Sequence, residues 1–358
     1  MKIKLGDICI FQSGGTPAKG KEEFFNGTIP WITTTALNGG KIDETQAVEW
    51  ITEKAIENSA AKLVPAFSIM VGTRVGVGKV AVNTVQMSTS QDIISLLNID
   101  ENRWSKDYLC KYIQGKNTFL NSQARGATIK GIKIDVLANL ELEEIPLEEQ
   151  VRISETIDKV KEILDARKSE LLELDKLIKA RFVEMFYGKG YPILKWNDVF
   201  NTTTGKLDSN AAVEDGEYPF FTCSKEVLRI DKFAFNQEAL LLAGNNAAGK
   251  YDVKYYNGKF NAYQRTYVLG LKENWSYQLF RYQLEDKLVY LQQQSLGGLT
   301  KYLTMKILGE LDFIIPPMEK QIEFEVYVNQ VDKSKAAVQK SLDETQVLFD
   351  SLMQKYFG

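Results

Sequence analysis

An α+β fold built twice is what the sequence predicts: two globular modules, each followed by a long helix, the two helices pairing as an antiparallel coiled coil in a pseudo-twofold internal repeat. Three observations carry this. First, Pro146-Leu147-Glu148-Glu149-Gln150-Val151 recurs as Pro317-Met318-Glu319-Lys320-Gln321-Ile322, a displacement of 171, the difference between 317 and 146. The same displacement carries Gly78-Lys79 onto Gly249-Lys250, Gly126 onto Gly297, Lys130 onto Lys301, and Leu137 and Leu140 onto Leu308 and Leu311. A period of that length is a duplicated domain with its helix, since solenoid repeats run to a few tens of residues. Second, a heptad seam follows each proline. Third, short β-like runs punctuated by Gly, Asn and Thr fill the remainder.

The elements divide the chain into a module at 1–145, a central helix at 146–188, a module at 189–315 and a second helix at 316–358. In the central helix Ile157, Val160, Leu164, Arg167, Leu171, Leu174, Ile178, Arg181 and Met185 step by three and four. In the second, Val328, Val331, Lys335, Val338, Leu342, Thr345, Phe349, Leu352 and Tyr356 keep the same seam. Such a seam wants an apolar partner. No Gly or Pro interrupts either helix between its starting proline and its closing glycine. Polar seam positions differ between the copies, Arg167 and Arg181 against Lys335 and Thr345, which favours pairing the two helices with each other over self-pairing. Within the modules, Ile69-Met70-Val71, Lys79 to Val82, Ile93 to Leu97, Leu240-Leu241-Leu242 and Thr266 to Leu269 read as strands, with shorter helices near 104–121 and 274–294. Ile29-Pro30-Trp31-Ile32-Thr33 matches Tyr218-Pro219-Phe220-Phe221-Thr222. Pro30 to Gly78 is 48 residues and Pro219 to Gly249 is 30, so the first module carries about 18 extra residues around 36–66.

Composition excludes several classes. The chain has 358 residues and no histidine, which removes the commonest general base and the Ser-His and Cys-His pairings. Cys9, Cys110 and Cys223 are far apart and form no C-x-x-C pair, so free buried thiols in a reducing compartment are expected, with no metal site. No signal-peptide pattern and no membrane-length apolar run is present, so a cytoplasmic location is expected. The net charge of −3 resides on the helices: the two modules are 0 and +1, and each helix is −2.

Gly244-Asn245-Asn246-Ala247-Ala248-Gly249-Lys250 fits the opening of a phosphate-binding loop, but Tyr251 stands where Ser or Thr is needed and a strand follows, so a Gly-rich turn is the reading. Glu285-Asp286-Lys287 lies on a helix and reads as a solvated charged face, not a nuclease site. What remains is recognition chemistry at turns near strand ends. The first module offers Thr33, Thr34, Arg74, Lys79, Ser90, Gln91, Arg125 and Lys130. The second offers Ser224, Lys225, Asn245, Asn246, Lys250, Tyr263, Gln264, Arg265, Lys301 and Tyr302. Arg suits guanine edges, Asn and Gln suit adenine, and Lys, Ser and Thr suit phosphates. Matched placement in both modules singles out Lys79/Lys250, Gln91/Gln264 and Lys130/Lys301.

Leu5-Gly6-Asp7-Ile8, Ser13-Gly14-Gly15-Thr16-Pro17, Ile29 to Ile32, Val75-Gly76-Val77-Gly78-Lys79 and the box Ile145-Pro146-Leu147-Glu148-Glu149-Gln150 resemble the DNA-specificity subunit of type I restriction-modification enzymes, over the whole chain. Trp196-Asn197-Asp198-Val199 departs from the pattern, and Ser-Gly-Gly-Thr-Pro has no copy in the second module. The resemblance implies a non-catalytic subunit without a cofactor. Each module would be a target-recognition domain reading one half of a bipartite, asymmetric site in double-stranded DNA. The helices would set the unread spacer and dock two modification (methyltransferase) subunits, and two restriction (translocase and nuclease) subunits would complete the complex. Two other readings stay open on the residues alone: the specificity subunit of a related combined restriction-modification enzyme, and a coiled-coil scaffold with two protein-binding modules.

Overall fold

The computed structural model describes residues 2–126, 130–247 and 249–358. The chain forms two compact units, Met1–Lys168 with Lys340–Gly358, and Ser169–Gln339. The division falls inside both long helices, Leu147–Phe186 and Met318–Phe357, and so departs from the four-part scheme drawn on the sequence. Apolar contacts bind the helix ends to the globular bodies, and those contacts define the units. Among the described residues no helix is long and apolar enough to cross a membrane.

In unit 1 a sheet runs in the order Ile10–Ser13, Ile93–Leu97, Ile69–Gly72, Val80–Asn83, Lys41–Ile42. A second sheet runs Glu49–Ile51, Phe25–Ile32, Met87–Thr89, Leu63–Val64. The helices Lys106–Gly115 and Asn117–Gln123 bury Leu109, Ile113 and Leu120 with Val71, Val80 and Leu96 of the first sheet. Lys2–Lys4 pairs with Glu141–Glu143, which closes the module next to the start of the long helix.

In unit 2 a six-stranded sheet runs Phe200–Thr204, Thr266–Leu271, Phe235–Ala243, Val253–Ala262, Tyr218–Phe221, Leu228–Ile230. Its pairings repeat those of unit 1. Ser13 faces Ile94 as Thr204 faces Tyr267, and Gly72 faces Ile93 as Ala243 faces Thr266. Trp31 pairs in parallel with Ser88 as Phe220 does with Asn261. The helices Tyr277–Asp286, Leu288–Gln294 and Met305–Gly309 lie 171 positions after Lys106–Gly115, Asn117–Gln123 and Ile134–Ala138. The extra residues of the first module form Lys41–Ile42, the helix Glu53–Asn58 and Leu63–Val64. The second module fills the same interval with Leu228–Ile230 alone.

The start of the second module, which departs from the first in sequence, matches it in structure. Leu5 and Trp196 are both fully buried, and their backbone N–H groups donate to Leu140 O (2.9 Å) and Leu311 O (3.1 Å). Thr204-Gly205 takes the place of Ser13-Gly14. A Cβ on Gly14 would lie 2.2 Å from Thr89 Oγ1, and one on Gly205 would lie 1.7 Å from Ala262 O, so no side chain fits at either.

The repeated Pro-x-Glu-x-Gln box has a physical reason. Gln150 is fully buried; its Oε1 accepts from Ser105 N (2.9 Å) and its Nε2 donates to Arg103 O and Ile145 O (2.9 Å each). Gln321 repeats this, accepting from Ser276 N (3.0 Å) and donating to Pro316 O (2.8 Å). Ser105 and Ser276 are N-caps, each accepting with its side chain from the backbone of Tyr108 or Leu279. One glutamine therefore ties the root of the long helix to the start of a module helix, with its own amide oxygen and nitrogen both bonded.

The apolar seam residues named above are all buried or half-buried: Ile157, Val160, Leu164, Leu171, Leu174, Ile178, Met185, Val328, Val331, Val338, Leu342, Phe349, Leu352 and Tyr356. In unit 2, Ile178, Met185 and Phe186 share one cluster with Phe324, Val328 and Val331. Arg181 pairs with Glu323 (2.6 Å) and Lys335 with Asp175 (2.5 Å), so numbers rise on one segment as they fall on the other. That is antiparallel pairing within the unit. In unit 1, Ile153 and Ile157 join the module core together with Phe357, whose ring lies 5.3 Å from that of Tyr108.

Removing either glutamine should orphan a buried backbone N–H. Gln150→Ala and Gln321→Ala are each expected to cost about 1–3 kcal/mol. Urea unfolding followed by circular dichroism reads this as a lower midpoint; an unchanged midpoint for both would refute the clamp.

Candidate nucleic-acid interface

The sheet pairings of each unit bring three turns together through one set of backbone bonds. In unit 1, Thr73 N donates to Asp92 O (2.8 Å), Ser90 N to Ile32 O (2.9 Å) and Ile132 N to Thr73 O (2.8 Å). In unit 2, Gly244 N donates to Arg265 O (2.8 Å), Tyr263 N to Phe221 O (2.9 Å) and Leu303 N to Gly244 O (2.8 Å). A short bridge closes each arrangement, Arg125 with Gly131 and Leu296 with Tyr302. Gly126 and Gly297 sit at positive φ, 144° and 101°, just inside these bridges, where a side chain would be strained.

Several residues singled out in the sequence meet here. In unit 1, Arg74 and Arg125 line a groove of about 580 Å³ with Gln123, Lys133 and Asp135. Lys130 is exposed in the bridging loop; Ala127 to Ile129 lie outside the described residues. Arg74 Nη1 is 3.6 Å from Asp92 Oδ1. Gln91 is exposed beside Asp92, and its Oε1 accepts from the Thr16 hydroxyl. In unit 2, Asn245 and Asn246 pair as backbone with Tyr302 and Lys301. Lys250 N donates to Asn246 Oδ1 (3.3 Å), and Lys301 packs against the neighbouring Gly249. Gln264 and Arg265 are exposed on the adjoining turn, where Gln264 Nε2 donates to Asp208 Oδ2 (3.3 Å). Tyr263 is half-buried there. Ser224 and Lys225 are exposed next to Cys223, whose thiol donates to Arg265 O (3.4 Å).

Not every candidate reaches this surface. Thr34 (5 % exposed) and Ser90 (4 %) are buried, because strand ends turn them into the protein; a polar residue at a strand end is not thereby a surface residue. Thr33 is half-buried and bonded to Thr35 (2.8 Å between hydroxyls). Lys79 is exposed on the turn between Ile69–Gly72 and Val80–Asn83 and does not line the groove. Gln123 and Lys133 line it and were not among the sequence candidates. Gln123 matches Gln294 at the 171 displacement, a signal that was legible; Lys133 matches Thr304, and no repeat marks it.

Two other sequence expectations change. Glu285 and Lys287 do not form a solvated face. Both are half-buried; Glu285 takes a bond from Arg281 (2.8 Å) and Lys287 lies over the Phe313 ring at 5.3 Å. Burial raises the Glu285 carboxyl, partly offset by Arg281, and burial lowers the Lys287 amine. Of the three free cysteines, Cys9 and Cys110 are buried while Cys223 is only half-buried. The loop resembling a phosphate site contains the strand Asn245–Asn246 and is followed by the strand Val253–Ala262, and among its described residues no helix begins that could face an anion.

A family model described as type I restriction modification DNA specificity domain matches residues 1–174 and again 189–345. The chain belongs to this family. The family match thus falls twice, once on each copy of the interface. The type I restriction enzyme EcoDI specificity subunit of Escherichia coli is 35% identical over 150 residues, 40% of this chain and 32% of that protein. The EcoR124I/EcoR124II specificity subunit, also from Escherichia coli, is 31% identical over 166 residues, 43% of this chain and 39% of that protein. The chain therefore spans under half the length of the curated relatives it matches. Among solved structures, the S subunit of a type I restriction-modification system from M. genitalium aligns with a TM-score of 0.63 at 17% identity, covering 100% of this chain and 96% of that one. A chain from a study of complex assembly and conformational transition of the type I system aligns at 0.62 and 16%, covering 100% and 97%. These two establish a shared fold.

Burial pushes the Cys9 and Cys110 thiols up to about 12, so neither forms thiolate near neutral pH. In the native chain a thiol reagent at about pH 8 should label Cys223 first and the other two only on unfolding. Peptide mapping of the labelled protein checks this; equal rates at all three sites would contradict the buried placement.

Proposed function

We propose that this chain is the non-catalytic DNA-specificity subunit of a type I restriction-modification complex. Each unit presents one half of the recognition surface and reads one half of a bipartite site in double-stranded DNA. The observation that carries this reading is the repeated set of backbone bonds with different exposed chemistry. One copy offers Arg74 and Arg125 where the other has Asn245 and Leu296, while Lys130 and Lys301 match. A fold that holds its backbone fixed and varies its exposed side chains suits a protein that reads two unlike half-sites.

The long helices act as the ruler. A 40-residue helix is about 60 Å long, and adjacent major grooves on one face of DNA lie about 34 Å apart. A coiled coil formed along the whole seam would span that separation and set the unread spacer. Two modification subunits dock on the acidic helices and supply adenine methylation, and two restriction subunits supply translocation and cleavage. The near-neutral modules suit a division of labour in which the modification subunits hold much of the phosphate backbone.

Sequencing the methylated adenines of cells that express this chain with its modification subunit is expected to show two short specific blocks separated by an unread spacer. A continuous motif would overturn the two-reader account. Filter binding with the isolated chain should detect only weak association that falls steeply with salt. Nanomolar sequence-specific binding by the isolated chain at physiological salt would contradict the assigned role of the partners.

A further inference from the structure

The groove beneath the bridge of unit 1 holds unlike charges, and this argues against a phosphate contact. Arg74, Arg125 and Lys133 line or approach it, yet so does Asp135, and Asp92 lies 3.6 Å behind Arg74. Carboxylates repel a phosphodiester, so a groove built for backbone would lack them. They suit a base edge: Arg donates two bonds to O6 and N7 of guanine, and a carboxylate accepts from N4 of its paired cytosine. The side chains are set for that. Arg74 is 54% exposed and Asp92 is 24% exposed, so the guanidinium projects while the carboxylate orients it from behind.

Unit 2 keeps the backbone and changes every one of these charges. Thr73 N to Asp92 O becomes Gly244 N to Arg265 O, and Ile132 N to Thr73 O becomes Leu303 N to Gly244 O. At the equivalent positions Arg74 becomes Asn245, Arg125 becomes Leu296 and Lys133 becomes Thr304. The two carboxylates Asp92 and Asp135 become Arg265 and Lys306. Asn in the Arg74 position has the donor and acceptor pair that matches N7 and N6 of adenine.

Resting on the reading of this chain as a DNA-specificity subunit, we propose that the position shared by Arg74 and Asn245 is a base-reading position, Arg74 taking guanine in one half-site and Asn245 adenine in the other. Arg74 makes the base contact, and Asp92 is a positioning residue behind it.

The test uses this chain assembled with its modification subunit, as wild type, Arg74→Asn and Asn245→Arg. Methylated adenines are sequenced in cells expressing each form. Arg74→Asn is expected to change or relax one guanine position in one half-site and leave the spacer and the other half-site intact; Asn245→Arg does the converse. If a variant methylates nothing, the purified complex is titrated against duplexes in which single guanines are replaced by 7-deazaguanine. Wild type should then lose about tenfold to hundredfold at one position, and Arg74→Asn should lose nothing there. An unchanged motif from Arg74→Asn, or uniform weakening with every base preference kept, overturns the assignment while the bipartite reading stands. A continuous wild-type motif overturns the bipartite reading itself.

Discussion

A buried side-chain amide at the root of each long helix is the interaction on which the rest of each unit depends. Gln150 and Gln321 sit where a strand ends, a helix of 40 residues begins and a module helix starts nearby. Each such start leaves backbone groups without partners. Gln150 satisfies three of them, the N–H of Ser105 and the carbonyls of Arg103 and Ile145. Asn is one methylene shorter, and Glu would set a carboxylate oxygen against the Arg103 and Ile145 carbonyls, to which Gln150 Nε2 donates. The proline that opens each box lies just past its strand, and the carbonyls of Pro146 and Pro317 accept helical bonds from Gln150 N and Gln321 N (3.1 Å each).

From that anchor the two units are built alike and finished differently. Strand registers, the helix pair after the sheet and the bridge over the groove repeat between units. The aromatic ends of the long helices repeat the packing, with Phe357 in one cluster with Tyr108 and Ile153 and Phe186 in one with Leu279 and Phe324. On the three turns Gln91 with Gln264 and Lys130 with Lys301 repeat, while Arg74, Arg125 and Asp92 do not. The physical separation is simple: backbone bonds and buried apolar contacts hold the arrangement, so exposed side chains can change without cost to it.

Most of the fold was legible in the residues. The steps of three and four from Ile157 to Met185 and from Val328 to Tyr356 told which helix faces are covered, because apolar burial follows the helical period. The match of Pro30-Trp31 with Pro219-Phe220 located equivalent strands, since both are parallel-paired at that point. The start of the second module was harder to see. Trp196 and Leu5 fill one core position with side chains of different size, and Gly205 does the work of Gly14 within a different local sequence. Of the site, Arg74, Arg125, Asn245 and Lys301 were visible as polar residues at turns, but Thr34 and Ser90 looked the same in sequence and are buried.

The sequence by itself determined the duplication, the elements and the seams, because these rest on local periodicity and on motifs that recur at a constant displacement. It also carried the family resemblance, through the helix-opening box. Only the tertiary structure decided where the compact units divide, why the glutamine of that box is required, and which turns share a surface. Those depend on contacts between residues far apart in the chain, such as Gln150 with Ser105, Thr73 with Asp92 and Gly244 with Arg265. No local pattern encodes which turn a strand end will meet; that is set when the sheets pair and the core closes.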